Sequence, residues 1–296
     1  MLGTVQFGMP YGVANSTGQP TYPEVVRIIA KAIEGGVNCF DTAAAYGSSE
    51  AVLGRALQEL RIADKVTVVT KVRPLTAQEL KDPGAAATAI ENSIESSRRL
   101  LQIDSLPLVL FHREADATYL TSLEALRDRG RIQRCGVSCD NSPGPAAAIL
   151  ATRRFAAIQL PGSVVDERHV RSGICEMAQH LGVAVFIRSV FLQGLLLMKD
   201  EEIPPSLRDI APVRRTLTAL AEQAGMTLRE LAVRFMLHQH GVTCVIAGVE
   251  TVAQVSENVE LFRGGPLPPD LLAAIHVTVC ELPESLITPR QWPTRS

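Results

Sequence analysis

The sequence predicts a single (β/α)8 barrel spanning residues 1–296, on three observations. Short apolar runs recur eight times, each is followed by a longer stretch of helical periodicity, and the runs are apolar throughout rather than alternating. Strands covered on both faces need that continuity. An open doubly wound sheet is the alternative, but it calls for GxGxxG after the first strand, and here the first run leads into GMPYG.

The strand expectations, in order, are residues 2–7, 37–40, 66–70, 107–111, 135–137, 156–160, 183–187 and 242–247. The helices between them are expected at 23–34, 49–58, 85–100, 119–127, 145–151, 168–180, 207–223 with 227–238, and 251–261. Gly35 and Gly36 stop the first helix, Ser48 and Ser49 precede the second, and Thr227 stands three residues before Glu230 as a capping box. The charged, proline-bearing stretch 199–212 reads as a possible lid loop, and 281–296 as a C-terminal tail.

Composition narrows the function. With 29 Lys+Arg against 31 Asp+Glu the formal net charge is −2, which argues against a protein that coats nucleic acid or an anionic membrane. The basic cluster 127–134 lacks interleaved aromatics and reads as a solvated turn. No apolar run approaches the ~18 residues that cross a bilayer, and the N-terminus lacks the basic start of a secretory signal, so a cytoplasmic protein is expected. Six scattered cysteines read as buried thiols, and no His or Cys pair has zinc-site spacing, so no metal is expected.

Chemistry in such a barrel collects at the carboxyl ends of the strands. Those ends carry Asp41, Lys71, His112, Ser138, Gln159 and Arg188, and Tyr46 follows Asp41 closely enough to reach the same mouth. A phenol with an ordinary pKa near 10 is a reluctant acid, and a neighbouring ammonium stabilises its anion. A carboxylate paired to the lysine would hold that ammonium in place. Such a tyrosine suits protonation of a carbonyl oxygen as hydride arrives, with the histidine as an orienting donor. None of these groups supplies hydride, so an external cofactor is required.

The stretch GVNCFDTAAAYGSSEAVLGRAL, followed by VVTKV, LVLFHRE, CGVSC, AAIQLPGSVVD and VIAGVETVAQVSENV, resembles the aldo-keto reductase family over nearly the whole chain. The resemblance implies reversible, metal-independent reduction of aldehydes or ketones by NADPH, with NADH as the other possibility. It implies Tyr46 as general acid, Lys71 as its partner, Asp41 as the lysine's ion-pair partner and His112 as the orienting donor. Ser138 and Gln159 would lie beside the nicotinamide carboxamide. Ser189, Phe191, Leu192 and Gly194 would lie along the pyrophosphate, and Gly248, Gln254, Glu257 and Asn258 at the adenosine end.

Four departures accompany the resemblance. Cys139 stands where asparagine usually follows the serine, and Arg188 stands where an aromatic ring commonly stacks on the nicotinamide, so its planar guanidinium is expected to stack there instead as a cofactor-binding residue. The segment Gly248–Gln254 offers Glu250 but no cation for a 2′-phosphate, so NADPH needs a distant Arg or Lys to fold in. The chain also begins almost at the first strand, without the small N-terminal hairpin usual in the family.

Substrate signals are few. Arg113 and Arg188 near the mouth suit a polar or anionic carbonyl compound, and Tyr11 and Trp292 are candidates for an apolar wall. Two rival readings remain: a nicotinamide-binding regulatory or subunit protein with little turnover, and an aldolase using Lys71 as a Schiff base. Oligomeric state is not encoded in any feature of the chain.

Overall fold

The computed structural model describes residues 1–15, 18–279 and 282–292. Glu281 and the stretch 293–296 of the expected tail lie outside the described residues, as do Ser16, Thr17 and Cys280. Nine parallel strands form the sheet: β1 (Leu2–Gly3), β2 (Cys39–Asp41), β3 (Thr67–Val72), β4 (Leu108–Phe111), β5 (Cys135–Ser138), β6 (Ala157–Pro161), β7 (Ala184–Arg188), β8 (Cys244–Val245) and β9 (Ala247–Gly248). Each pairs with the next from β1 to β8, and β9 pairs back onto β1. β8 and β9 are two halves of the expected eighth strand, separated by Ile246, so the ring closes as a (β/α)8 barrel.

The first strand is shorter than expected. Only Leu2–Gly3 pairs in the sheet, and Val5–Gly8 is a helical turn. Thr4 Oγ1 donates to the Asp41 carbonyl at 2.9 Å and Phe7 N–H to the Thr4 carbonyl at 2.9 Å, so the chain turns where the ladder would otherwise continue. The expected helix at 168–180 is two pieces, Arg168–Arg171 and Ile174–His180, divided at Gly173 with φ +74. Thr227 caps Leu228–Leu237 by accepting from the Glu230 N–H, as its spacing predicts. The stretch 199–212 is anchored: it folds into the short turns Asp200–Glu202 and Pro205–Ile210, with Ile203, Leu207 and Ile210 buried and Asp200 paired to Arg214 and Arg215.

Two apolar clusters explain why the strands read as continuous runs. Phe40, Val68, Val109, Phe111, Val137, Ile158, Val185, Ile187 and Val245 pack outward against the helices. Val69, Leu108, Leu110, Ala157, Phe186 and Ile246 form a separate cluster inside the barrel, with Met1, Cys39, Ala184 and Cys244 against it. Gly136 belongs to this interior by what it lacks: a Cβ there would meet Leu110 Cδ2 at 2.3 Å. Because side chains alternate along a strand, the next inward positions above this cluster are Asp41, Lys71, His112, Ser138, Gln159 and Arg188. The apolar packing of the barrel interior thereby sets the register of the polar rim, and a one-residue slip would turn every rim residue outward.

Candidate active site

Lys71 is the most constrained rim residue. Its side chain is 1% exposed, and Nζ donates to Asp41 Oδ1 at 2.8 Å, Asp41 Oδ2 at 2.9 Å and the Thr42 carbonyl at 2.9 Å. Burial opposes the ammonium, but the Asp41 charge and the Tyr46 phenol outweigh it, so the lysine pKa is raised and the group stays charged. Gln159 Nε2 donates to Asp41 Oδ1 at 2.8 Å, completing the carboxylate's partners. A buried pair of this kind adds little net stability, but it fixes a charge in space.

Tyr46 is brought over this charge by a tight loop. Tyr46 N–H donates to the Ala43 carbonyl at 3.0 Å and Ser49 N–H to the Tyr46 carbonyl at 3.0 Å. The loop touches the turn after β1 so closely that a Cβ at Gly8 would lie 1.8 Å from the Tyr46 carbonyl oxygen. Gly47, at φ +56, would likewise put a Cβ 2.4 Å from the Gly8 oxygen, so glycine is required on both sides. The result sets Lys71 Nζ 5.0 Å from the Tyr46 ring centroid. His112 meets the same ring edge-on, with centroids 5.7 Å apart at 89°. Burial, then Lys71, Arg188 and Arg290, push the His112 pKa down to about 3, so the imidazole is neutral at ordinary pH and carries one N–H to donate.

A cavity of about 910 Å³ opens from this rim, within the range for small-molecule and cofactor sites. Asp41, Tyr46, His112, Ser138, Gln159, Arg188, Ser189, Phe191, Gly194, Gly248 and Gln254 line it, as does Tyr11. Leu192 does not: its side chain is 1% exposed in the apolar core, and only its backbone shapes the turn. Glu257 is exposed and Asn258 is buried, and neither lines the cavity. Trp292 packs against the core instead of forming a wall with Tyr11. Arg113 is spent on Asp116 and the Leu75 carbonyl, so the expectation that it faces substrate is corrected.

The groove fits a dinucleotide on three observations. Ser189, Leu192, Gln193 and Gly194 take φ of 66, 47, 54 and 91, a run of left-handed backbone right after β7. Such residues cost about 1–3 kcal/mol each where they are not glycine and gather at ligand-holding turns, and here the Leu192 and Gly194 N–H groups close the turn onto the Ser189 and Phe191 carbonyls at 2.8 and 2.9 Å. Asn258, 6% exposed, has neither Oδ1 nor Nδ2 bonded, a donor–acceptor pair that matches a base edge. It lies one turn beyond Gln254 on the helix Val252–Phe262. Finally, Gln6 Oε1 is buried without a partner in the cavity wall, and a Cβ at Gly248 would meet the Gln6 amide at 2.8 Å.

Some lining residues carry no signal of their own in the sequence. Gln6 reads as part of a strand, Arg229 as the first turn of a solvated helix, and Arg290 as tail. Arg229 lines the same cavity as Gly248, Glu250 and Gln254, with its guanidinium carbon 5.3 Å from the Phe191 ring centroid. It brings a cation into a groove whose segment Gly248–Gln254 has none of its own.

The chain belongs to the aldo/keto reductase family, whose model matches residues 1–277. Members of this family reduce small carbonyl compounds with nicotinamide cofactors. Solved structures agree on the fold. An aldo-keto reductase of Bacillus halodurans in its holo form superposes with a TM-score of 0.76 at 23% identity, covering 95% of this chain and 92% of that one. A glycerol dehydrogenase of Gluconobacter oxydans gives 0.73 at 24% identity, with 99% and 93% covered. Among the described residues no helix is long and apolar enough to cross a membrane, and no cluster of His, Cys, Asp or Glu is suited to a metal ion.

Proposed function

We propose that this chain is a cytoplasmic, NADPH-dependent reductase of an aldehyde or ketone, working reversibly, with Tyr46 as general acid. The observation that carries the reading is the buried Lys71 ammonium, locked by both oxygens of Asp41 and 5.0 Å from the Tyr46 ring centroid. The nicotinamide, when bound, supplies the hydride. As negative charge grows on the carbonyl oxygen, the Tyr46 O–H gives it a proton, and the fixed ammonium stabilises the phenolate left behind. Asp41 positions the lysine. Neutral His112 donates a hydrogen bond to the same oxygen and orients the carbonyl. In the reverse direction the phenolate takes the alcohol's proton. A Schiff-base role for Lys71 is disfavoured, because an amine nucleophile needs a lowered pKa and this one is raised.

Ser138 and Gln159 are assigned to the carboxamide, Ser189, Phe191 and Gly194 to the pyrophosphate side, and Gly248, Gln254 and Asn258 to the adenosine end. Arg229, which lines the same cavity as Glu250, supports NADPH over NADH, since it brings into the groove a cation with which a 2′-phosphate can pair. Parallel fluorescence titrations with NADPH and NADH, followed by NADPH oxidation with a panel of aldehydes, test the proposal. Tight NADPH binding with turnover supports it. Tight binding with no carbonyl reduced would instead favour a regulatory protein.

A further inference from the structure

We infer that Arg188 sets a fixed positive charge against the nicotinamide ring, and that the site thereby selects reduced over oxidised cofactor. The inference rests on the reductase reading, because it takes the nicotinamide to lie at the mouth beside Tyr46, with the rest of the dinucleotide along the groove.

Arg188 ends β7 and is half-buried in the cavity wall. In register it stands beside Pro161 of β6, and its guanidinium crosses the end of that strand to donate to the Cys139 carbonyl at 3.0 Å. Cys139 follows Ser138 at the end of β5, and its own N–H donates to the Gln159 carbonyl at 2.9 Å. The guanidinium is thereby held beside Ser138 and Gln159, the two residues assigned to the carboxamide. On its other side Arg188 donates to Ser189 Oγ at 3.4 Å, where the left-handed turn assigned to the pyrophosphate begins. A dinucleotide that joins this turn to Ser138, Gln159 and Tyr46 has to lay its nicotinamide end along Arg188.

Both acceptors of Arg188 are neutral, and among the described residues no carboxylate lies within ion-pair distance of it. The carboxylates around the mouth are engaged elsewhere: Asp41 holds Lys71, Asp140 pairs with Arg290 at 2.6 Å, and Glu114 accepts the Asp140 N–H at 3.0 Å. The Lys71 and Asp41 charges oppose each other, which leaves Arg188 an uncompensated cation in the wall. Partly removed from water, its field is screened less than that of a surface charge.

The two redox forms of the cofactor differ where this charge sits. The dihydronicotinamide ring of NADPH is neutral and electron-rich, and its face attracts a cation. The ring of NADP⁺ is itself a cation, which Arg188 repels. The pyrophosphate and the 2′-phosphate are the same in both forms, so the contributions of Arg229 and of the turn cancel from the ratio of affinities. An aromatic side chain at this position would bias the ratio the other way, since its face attracts the cationic ring. With arginine there, the site loads with reduced cofactor and lets the oxidised form go once the hydride has left.

Calorimetric titration of the full chain with NADPH and with NADP⁺ tests this. We expect the parent to bind NADPH about tenfold more tightly or better, which places the bound couple about 30 mV above the free one. Arg188→Met, which removes the charge and keeps a long side chain, should cut the ratio of the two dissociation constants by about tenfold. Arg188→Lys keeps the charge and should keep most of the ratio. A dissociation constant does not depend on how much of the sample is folded, and the lysine variant separates charge from fit. Equal affinities in the parent, a ratio unchanged by Arg188→Met, or a ratio lost equally in Arg188→Lys would each overturn the inference. Binding with the expected ratio but no carbonyl reduced would remove the reductase reading alone. If the parent binds neither form, both fall.

Discussion

The two ends of the cavity are built on opposite plans. At the barrel rim one charged set is satisfied internally: Lys71, Asp41, Gln159 and the Thr42 carbonyl bond to one another before any ligand arrives, and of the rim around them the His112 Nδ1 is left buried and unbonded. At the far end Gln6 Oε1 is buried and unbonded in the cavity wall, as are Asn258 Oδ1 and Nδ2 one helical turn beyond the lining Gln254, and the backbone after β7 is held in left-handed conformations. The first arrangement fixes a charge for chemistry, where reorganisation would cost rate. The second leaves hydrogen-bonding capacity to be completed by a ligand, so that binding energy is gained on docking.

Breaking the rim should therefore cost the most. Lys71→Met removes the cation and strands Asp41 in the interior, so we expect kcat to fall by roughly 10²–10⁴ and stability to fall by about 3–5 kcal/mol. Steady-state kinetics and chemical denaturation read the two effects. A variant that keeps its activity would show that the closed set serves packing alone.

Breaking the far end should weaken binding while sparing the chemical step. Asn258→Leu replaces the unbonded amide with an apolar side chain of similar size, and about 1–3 kcal/mol of dinucleotide affinity should be lost with little change in kcat at saturating cofactor. Arg229→Met should raise the Kd for NADPH about tenfold while moving that for NADH little, as measured by parallel titration. Equal weakening of both would detach Arg229 from the 2′-phosphate.

The effect of pH is confined to acid conditions. His112 has its pKa depressed to about 3 from an ordinary 6.5, so between these values the unfolded chain holds a proton that the native site refuses. Stability from this group is complete above pH ~6.5 and is lost as pH falls towards 3. His112→Gln should flatten the acid side of the stability curve in that window, and a curve unchanged by the substitution would mean the imidazole titrates normally.

The same contrast explains what the sequence makes legible. Rim residues are readable because each sits at the carboxyl end of an apolar run whose alternation sets its direction, as Val69 does for Lys71 and Leu110 for His112. The far end is assembled from separate elements, and local pattern misses it. Val5–Gly8 is apolar enough to read as strand, yet it turns and carries Gln6 into the groove. Arg229 follows a capping threonine and has the profile of any solvated first turn. Leu192 occupies a motif position, but its side chain serves the core. Arg113 and Arg290 are indistinguishable by type. Only the fold shows that Asp116 and Leu75 engage the first while the second faces the cavity.

The proton donor is tested most directly by single-turnover reduction in Tyr46→Phe preloaded with NADPH, with cofactor affinity measured on the same sample. The account predicts a hydride-transfer rate lower by about 10²–10⁴ and a Kd for NADPH within about twofold of the parent, because the acid is lost while the ring stays beside Lys71 and His112. A rate close to that of the parent would contradict it.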